Sequence, residues 1–183
     1  MKSRPADPRR LDVEAFAQDA GELQGEWPLA SLDRLAGTAH PDAKPADTDL
    51  THWQVQGESR PVRGGVAQTW LHLRADARVS LVCQRCLGPV GADVHAERSF
   101  QFVSGEDAAA QLDADSEDDV LALTRSLDLR DLVEDELLLA LPLVPRHEVC
   151  PQPLPMAHDD PEEDARTNPF AALAALKRGG PAN

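Results

Sequence analysis

Tyrosine is absent from this 183-residue chain, and aromatic residues together make up only 4% of it. Proteins that bind single strands without sequence preference display several exposed rings on which bases stack. Here Trp53 and Trp70 sit in alternating strand patterns that assign them to a core, so no stacking platform is expected. Long apolar runs are also missing. No window approaches the roughly 20 residues of a membrane span, and MKSRPADPRRLDVEAFAQDA at the N-terminus lacks the apolar stretch of about 7 to 15 residues that marks a secretory signal. The expectation is a cytoplasmic protein with no membrane partner. Cysteine is scarce: three residues, Cys83, Cys86 and Cys150, are too few and too odd in number for a secreted disulfide framework, and fit a reducing compartment. Glycine-rich phosphate loops, GxSxG and HExxH are all lacking, and the six histidines are scattered. The chain therefore reads as a non-enzyme with no catalytic residues, no bound organic cofactor and no small-molecule substrate.

Basic charge is in deficit too. A formal net charge of −14 argues against a nucleic-acid partner, because affinity for phosphate comes from counterions released by Lys and Arg. The distribution weakens that argument. Residues 106–119, EDAAAQLDADSEDD, carry seven acidic side chains and no basic one, and residues 159–164, DDPEED, carry five more. Without these runs, 20 acidic residues face 18 basic ones. The span from Arg60 to Arg98 holds Arg60, Arg63, Arg74, Arg78, Arg85 and Arg98 against Asp76, Asp93 and Glu97. The acidic runs read as solvated, disordered segments around a nearly neutral folded part with a mildly basic middle.

Three regions follow. Residues 1–50 form a helical lead-in and linker: a short helix after Asp12, and a second at Pro28–Ala36 with Pro in the first turn and Gly37 beyond its end. Residues 51–150 form the core domain. From Thr51 the period changes to two: Trp53 and Val55, then Thr69, Leu71 and Leu73, then Ala77, Val79, Leu81 and Cys83 each alternate with polar neighbours, and strand character returns over 90–103. CQRCLGP thus lies at the tip of an antiparallel hairpin. Val120–Leu123 is a short strand. Asp128 caps a helix to about Leu141, with Leu129, Leu132, Val133, Leu137 and Leu141 on one stripe and Pro142 and Pro145 ending it. Glu134 and Asp135 are assigned to its solvated side, and Glu136, close to the stripe, to a sheet arginine or a partner. Residues 151–183 form a mostly disordered tail with one short helix signal at 169–177. The fold class is α+β: a curved, largely antiparallel sheet with one main helix packed on it, short N-terminal helices, a disordered acidic loop and the C-terminal tail.

Cys83 and Cys86, three positions apart, admit several chemistries. A redox pair needs its first cysteine at a helix N-terminus, where the dipole lowers the thiol pKa, whereas Cys86 leads through Leu87-Gly88-Pro89 into a strand. A structural zinc ion needs two more ligands. His147-Glu148-Val149-Cys150 supplies them at the same spacing, and Arg85 and Arg146 are placed to offset the excess charge of three thiolates and one imidazole. Against this stands the simpler reading that Cys83 is a small buried strand residue, Cys86 a turn residue, and His147 and Cys150 unrelated members of a loop. Both remain open from the sequence, as does a metal- or thiol-dependent enzyme using the CQRC motif.

CQRCLGPV, the acidic loop, DLRDLVEDELLLALPLVPRHEVC and NPFAALAALK, in that order, resemble the bacterial YceD family of large ribosomal RNA subunit accumulation proteins over roughly residues 10–178. The resemblance implies a cytoplasmic, non-enzymatic factor in synthesis, processing or stability of 23S rRNA and in biogenesis of the large ribosomal subunit. Many relatives carry a cysteine-richer segment after the helix, where this chain has only His147 and Cys150. The expected partner is the large-subunit precursor. It would be reached either directly through rRNA on the mildly basic sheet, or through a ribosomal protein or processing factor held by the acidic segments. Candidate partner contacts are Arg85, Glu136 and the face Phe170, Leu173 and Leu176, which is too short to be a stable helix unsupported.

Overall fold

The computed structural model describes residues 6–151. The expected helix at 169–177, with Phe170, Leu173 and Leu176, lies outside the described residues.

Asp12 starts the first element. Its side chain accepts the N–H of Ala15 and caps α1, Val13–Gln18, as short oxygen-bearing side chains do at helix starts. The chain then runs through β1 (Glu22–Pro28), a 3-10 turn (Leu29–Ser31), α2 (Asp33–Gly37), β2 (Leu50–Arg60), β3 (Gln68–Val82), β4 (Pro89–Val103), α3 (Glu106–Asp115), β5 (Asp119–Ala122) and α4 (Leu129–Leu139). The five strands form one open sheet in chain order. The first four are antiparallel and β5 is parallel to β4, which requires a crossover connection; α3 supplies it. The architecture is α+β, as the sequence pattern predicts.

Alternation decides which face is core. Along β3, Leu71, Leu73, Ala75, Ala77, Val79 and Leu81 are buried while Arg74, Asp76 and Arg78 are exposed. α1 packs on β2 and β3, and α4 packs on β3 and β4. Gly57 sets the approach of α1: a Cβ there would lie 2.8 Å from Phe16 Cδ1 and 2.9 Å from Ala17 Cα. Leu129, Val133 and Leu137 bring α4 onto the sheet, and the Asp128 carboxylate accepts the N–H of Arg130 at 2.9 Å to begin that helix.

Three expectations are corrected. The segment read as a helical lead-in contains a strand, β1, paired with β2 from Glu22↔Gln56 to Pro28↔Leu50. Its inward positions are Leu23, Gly25 and Trp27, and the glycine interrupts the apolar alternation that would reveal it. Gly25 is empty because the Trp53 indole fills its place: a Cβ would meet Trp53 Cζ2 at 2.8 Å. The predicted helix at Pro28–Ala36 is broken at Leu32 (φ −89, ψ 89) into the 3-10 turn and α2. The acidic run is not a disordered loop. Glu106 and Asp107 occupy the first turn of α3, where the dipole favours them, Ala109 is buried, and Asp113 Oδ1 accepts the N–H of Val120 at 3.1 Å, joining the helix to β5.

Candidate metal centre

The β3–β4 hairpin closes through residues 83–88, and two backbone bonds shape the tip: Cys83 N–H to Gly88 O and Leu87 N–H to Cys83 O, both 2.9 Å. Leu87 takes φ +60, a left-handed conformation in which residues with a Cβ are uncommon. The turn aims Cys83 and Cys86 to the same side. Across from them, Pro142 and Pro145 stop α4 from continuing, and the segment beyond returns along the hairpin. Gln84 N–H donates to Pro145 O at 2.9 Å.

This brings Cys83, Cys86, His147 and Cys150 together, with their donor atoms all within 4.8 Å of one another. Cys83 Sγ and Cys150 Sγ are 3.9 Å apart and Cys86 Sγ lies 3.5 Å from His147 Nδ1. Around a tetrahedral zinc ion with ordinary bond lengths, two sulfurs stand about 3.8 Å apart, and a sulfur and a nitrogen about 3.5 Å. The four residues fit that group without rearrangement of these two pairs. His147 Nε2 lies 3.0 Å from Pro89 O; a carbonyl only accepts, so Nε2 carries the proton and Nδ1 presents its lone pair to the cluster. Such an outer bond fixes ring orientation at metal-binding histidines.

The sulfurs differ in acidity. Burial opposes the Cys83 thiolate, but the backbone N–H groups of Cys86, Arg85 and His147 outweigh it and lower the thiol from its ordinary 9.0 to about 5. Burial pushes the Cys150 thiol up to about 11, with the neighbouring Cys86 and Cys83 adding to it. Burial and the neighbouring thiols disfavour a second thiolate beside the first, an imbalance that a divalent ion would offset. Cys83 is fully buried, so it is not placed as an attacking thiolate.

His40 supports the tip from behind. Its backbone N–H donates to Ser80 O at 2.7 Å, its Nδ1 accepts from Asp42 N–H at 3.1 Å, and its Nε2 donates to Leu87 O at 3.0 Å. The sequence reading placed His40 in a linker; only the turn signal of Pro41-Asp42 hints at its fixed position.

The other predicted contacts separate. Arg85 is exposed on the knuckle. Glu136 is buried against Arg98, whose Nε donates to Oε2 at 3.3 Å, and burial raises its pKa despite that cation. Glu134, expected in solvent, is instead buried: Oε1 accepts the N–H groups of Arg34 at 2.7 Å and Leu35 at 3.0 Å. The uncovered sheet face is not basic. Arg60 pairs with Glu58, Arg74 with Glu97 and Arg78 with Asp93. Glu22, Glu26 and Asp76 share that face by register, so carboxylates outnumber guanidiniums. Arg98 belongs to the opposite face, with Glu136.

The family model for Large ribosomal RNA subunit accumulation protein YceD matches residues 71–177, a span that includes the hairpin, the cysteine cluster and α4. The chain belongs to the YceD family. A curated relative, the Large ribosomal RNA subunit accumulation protein YceD of Haemophilus influenzae (strain ATCC 51907 / DSM 11121 / KW20 / Rd), is 38% identical over 176 residues, 93% of this chain and 96% of that protein. No solved structure matches the chain. In this YceD-family chain the matched span holds all four donors of the cluster, whereas α1, β1, α2 and β2 precede it.

Proposed function

We propose that this chain is a non-enzymatic factor supporting accumulation of 23S rRNA during biogenesis of the large ribosomal subunit, and that Cys83, Cys86, His147 and Cys150 hold one structural zinc ion. The near full-length similarity to a protein named for large ribosomal RNA subunit accumulation carries the functional part. A binding role is supported by the chemistry of the cluster. Four protein donors complete a tetrahedral shell, whereas a catalytic zinc keeps a position open for water. The zinc would fasten the β3–β4 hairpin to the segment after α4, where its binding energy adds to that of folding.

The arginine pairing favours a protein route to the precursor over direct contact of the sheet with rRNA. Guanidiniums already matched to carboxylates, on a face with surplus acid, release few counterions from phosphate. A basic protein of the precursor complements that face.

Depletion of the protein in cells, with the ratio of 23S to 16S rRNA as readout, tests the function. The ratio is expected to fall and to be restored by the wild-type chain; an unchanged ratio would overturn the reading. Crosslinking in cells that express the chain, with ultraviolet light for RNA and formaldehyde for protein, distinguishes the routes: protein adducts on precursor particles support the first, and rRNA adducts on the sheet would replace it with the second.

A further inference from the structure

Five of the nine exposed large apolar side chains among the described residues belong to the knuckle end: Leu87 (60% exposed), Leu139 (74%), Leu143 (100%), Val144 (55%) and Val149 (85%). They come from the hairpin tip, the end of α4 and the segment that returns to Cys150. That segment is not free to collapse. Pro145 O is held by Gln84 N–H at 2.9 Å and His147 Nε2 by Pro89 O at 3.0 Å, so the apolar groups are displayed on a backbone tied at two points. Scattered single apolar residues are ordinary on a surface, but a gathered set marks an interaction site.

Unpaired cations edge this patch, as they do some other parts of the surface, where Arg9, Arg10, Lys44, Arg63, Arg125 and Arg130 form no ion pair among the described residues either. Arg34, Arg60, Arg74, Arg78 and Arg98 each pair with a carboxylate. Arg85 and Arg146, both exposed beside the patch, have no such partner among the described residues. The one carboxylate in the returning segment is Glu148.

We infer that the knuckle end is a protein-docking surface for a partner segment with apolar side chains at its centre and carboxylates at its rim, the carboxylates meeting Arg85 and Arg146. This inference rests on exposure and charge and is independent of the ribosomal reading. The side chains are aliphatic and give no ring for bases to stack on, which disfavours single-stranded RNA. A second copy on a two-fold axis presents the same patch to itself, bringing each arginine pair against another with only Glu148 to offset them. An apolar centre with arginine at its edge matches the composition of protein interfaces, and prior fixing of the backbone lowers the ordering cost of binding.

The test is site-specific photocrosslinking of the full chain in cells, with p-benzoylphenylalanine at position 143 or 149 and at Val66, a 91% exposed control on the β2–β3 connection. The expected result is one discrete protein adduct at 143 and 149 and none at 66, with a crosslinked peptide that sequences as apolar residues flanked by Asp or Glu. The adduct should fall at least about fivefold in Arg85→Glu/Arg146→Glu; because these arginines also offset charge at the cluster, zinc content and melting temperature are read on the same variant, and Leu139→Ser, exposed on α4 and away from the ligands, should lower the adduct as well while leaving both unchanged. RNA adducts, chain-to-chain adducts, a basic crosslinked peptide, equal labelling at 66 or no adduct at all would each overturn the proposal.

Discussion

Glu134 on α4 caps a helix that begins a hundred residues earlier: its Oε1 accepts the buried N–H of Leu35 at 3.0 Å, and the same atom accepts the N–H of Arg34. No side chain local to α2 does this work, since its N-cap position is Leu32. Glu134→Ala is expected to lower stability by about 2 kcal/mol, the combined cost of a lost cap and a stranded buried donor. Arg34→Ala should cost less, because the guanidinium is half exposed and its ion pairs are screened. Urea unfolding midpoints order the two variants; a larger loss for Arg34→Ala would show that the ion pair, not the cap, holds α2.

Removal of metal tests the cluster. Protein purified without chelator should carry one zinc per chain, and a chelator should lower its melting temperature by at least about 5 °C, equivalent to roughly 1–2 kcal/mol in a domain of this size. Cys86→Ala should lose both the metal and the chelator sensitivity. Metal-free protein whose Cys86→Ala variant melts as the parent does, with chelator present, sinks the zinc site.

Acid unfolding should report on Glu58. Hydrogen bonds from Arg60 first and His72 second lower its carboxyl from the usual 4.5 to about 2. A depressed folded-state pKa means stability that is fully present above pH 4.5 and is lost as the pH falls toward 2. Because the side chain is 42% exposed, the contribution is under about 1 kcal/mol. Glu58→Gln should therefore flatten the stability profile between pH 4.5 and 2 by no more than that; an unchanged profile excludes the effect.

Gly57 is required by close packing. Gly57→Ala must displace the Phe16 ring or the backbone of Ala17, and a loss of about 1–3 kcal/mol is expected from overpacking. Hydrogen exchange should localise the damage to α1 and the Gly21 N–H, which bonds Phe16 O. Protection loss spread evenly over α4 would point to a different cause.

The hairpin carrying CQRC, the Asp128-capped α4 and the spacing of HEVC were legible in the sequence, because each is written in a local period of two, of 3.6 or of three. β1 was not, since Gly25 removes the apolar signal at the position the Trp53 indole occupies. Nor was α3, whose acidic residues read as solvation until Ala109 and Asp113 are seen to meet the rest of the fold. Neighbouring Glu134, Asp135 and Glu136 show where local pattern stops. Periodicity placed Glu136 near the core stripe, and Arg98 does face it there. It assigned Glu134 to water because nothing on α4 itself announces α2. The sequence by itself determined which residues could ligate a metal and roughly where β2, the β3–β4 hairpin, β5 and α4 lie. Only the tertiary structure decided that the thiols and His147 converge, that Arg60, Arg74 and Arg78 on the sheet are already paired, and that Arg85 and Arg146 stand beside exposed apolar side chains. Those outcomes depend on which distant segments pack together, and no local period encodes that.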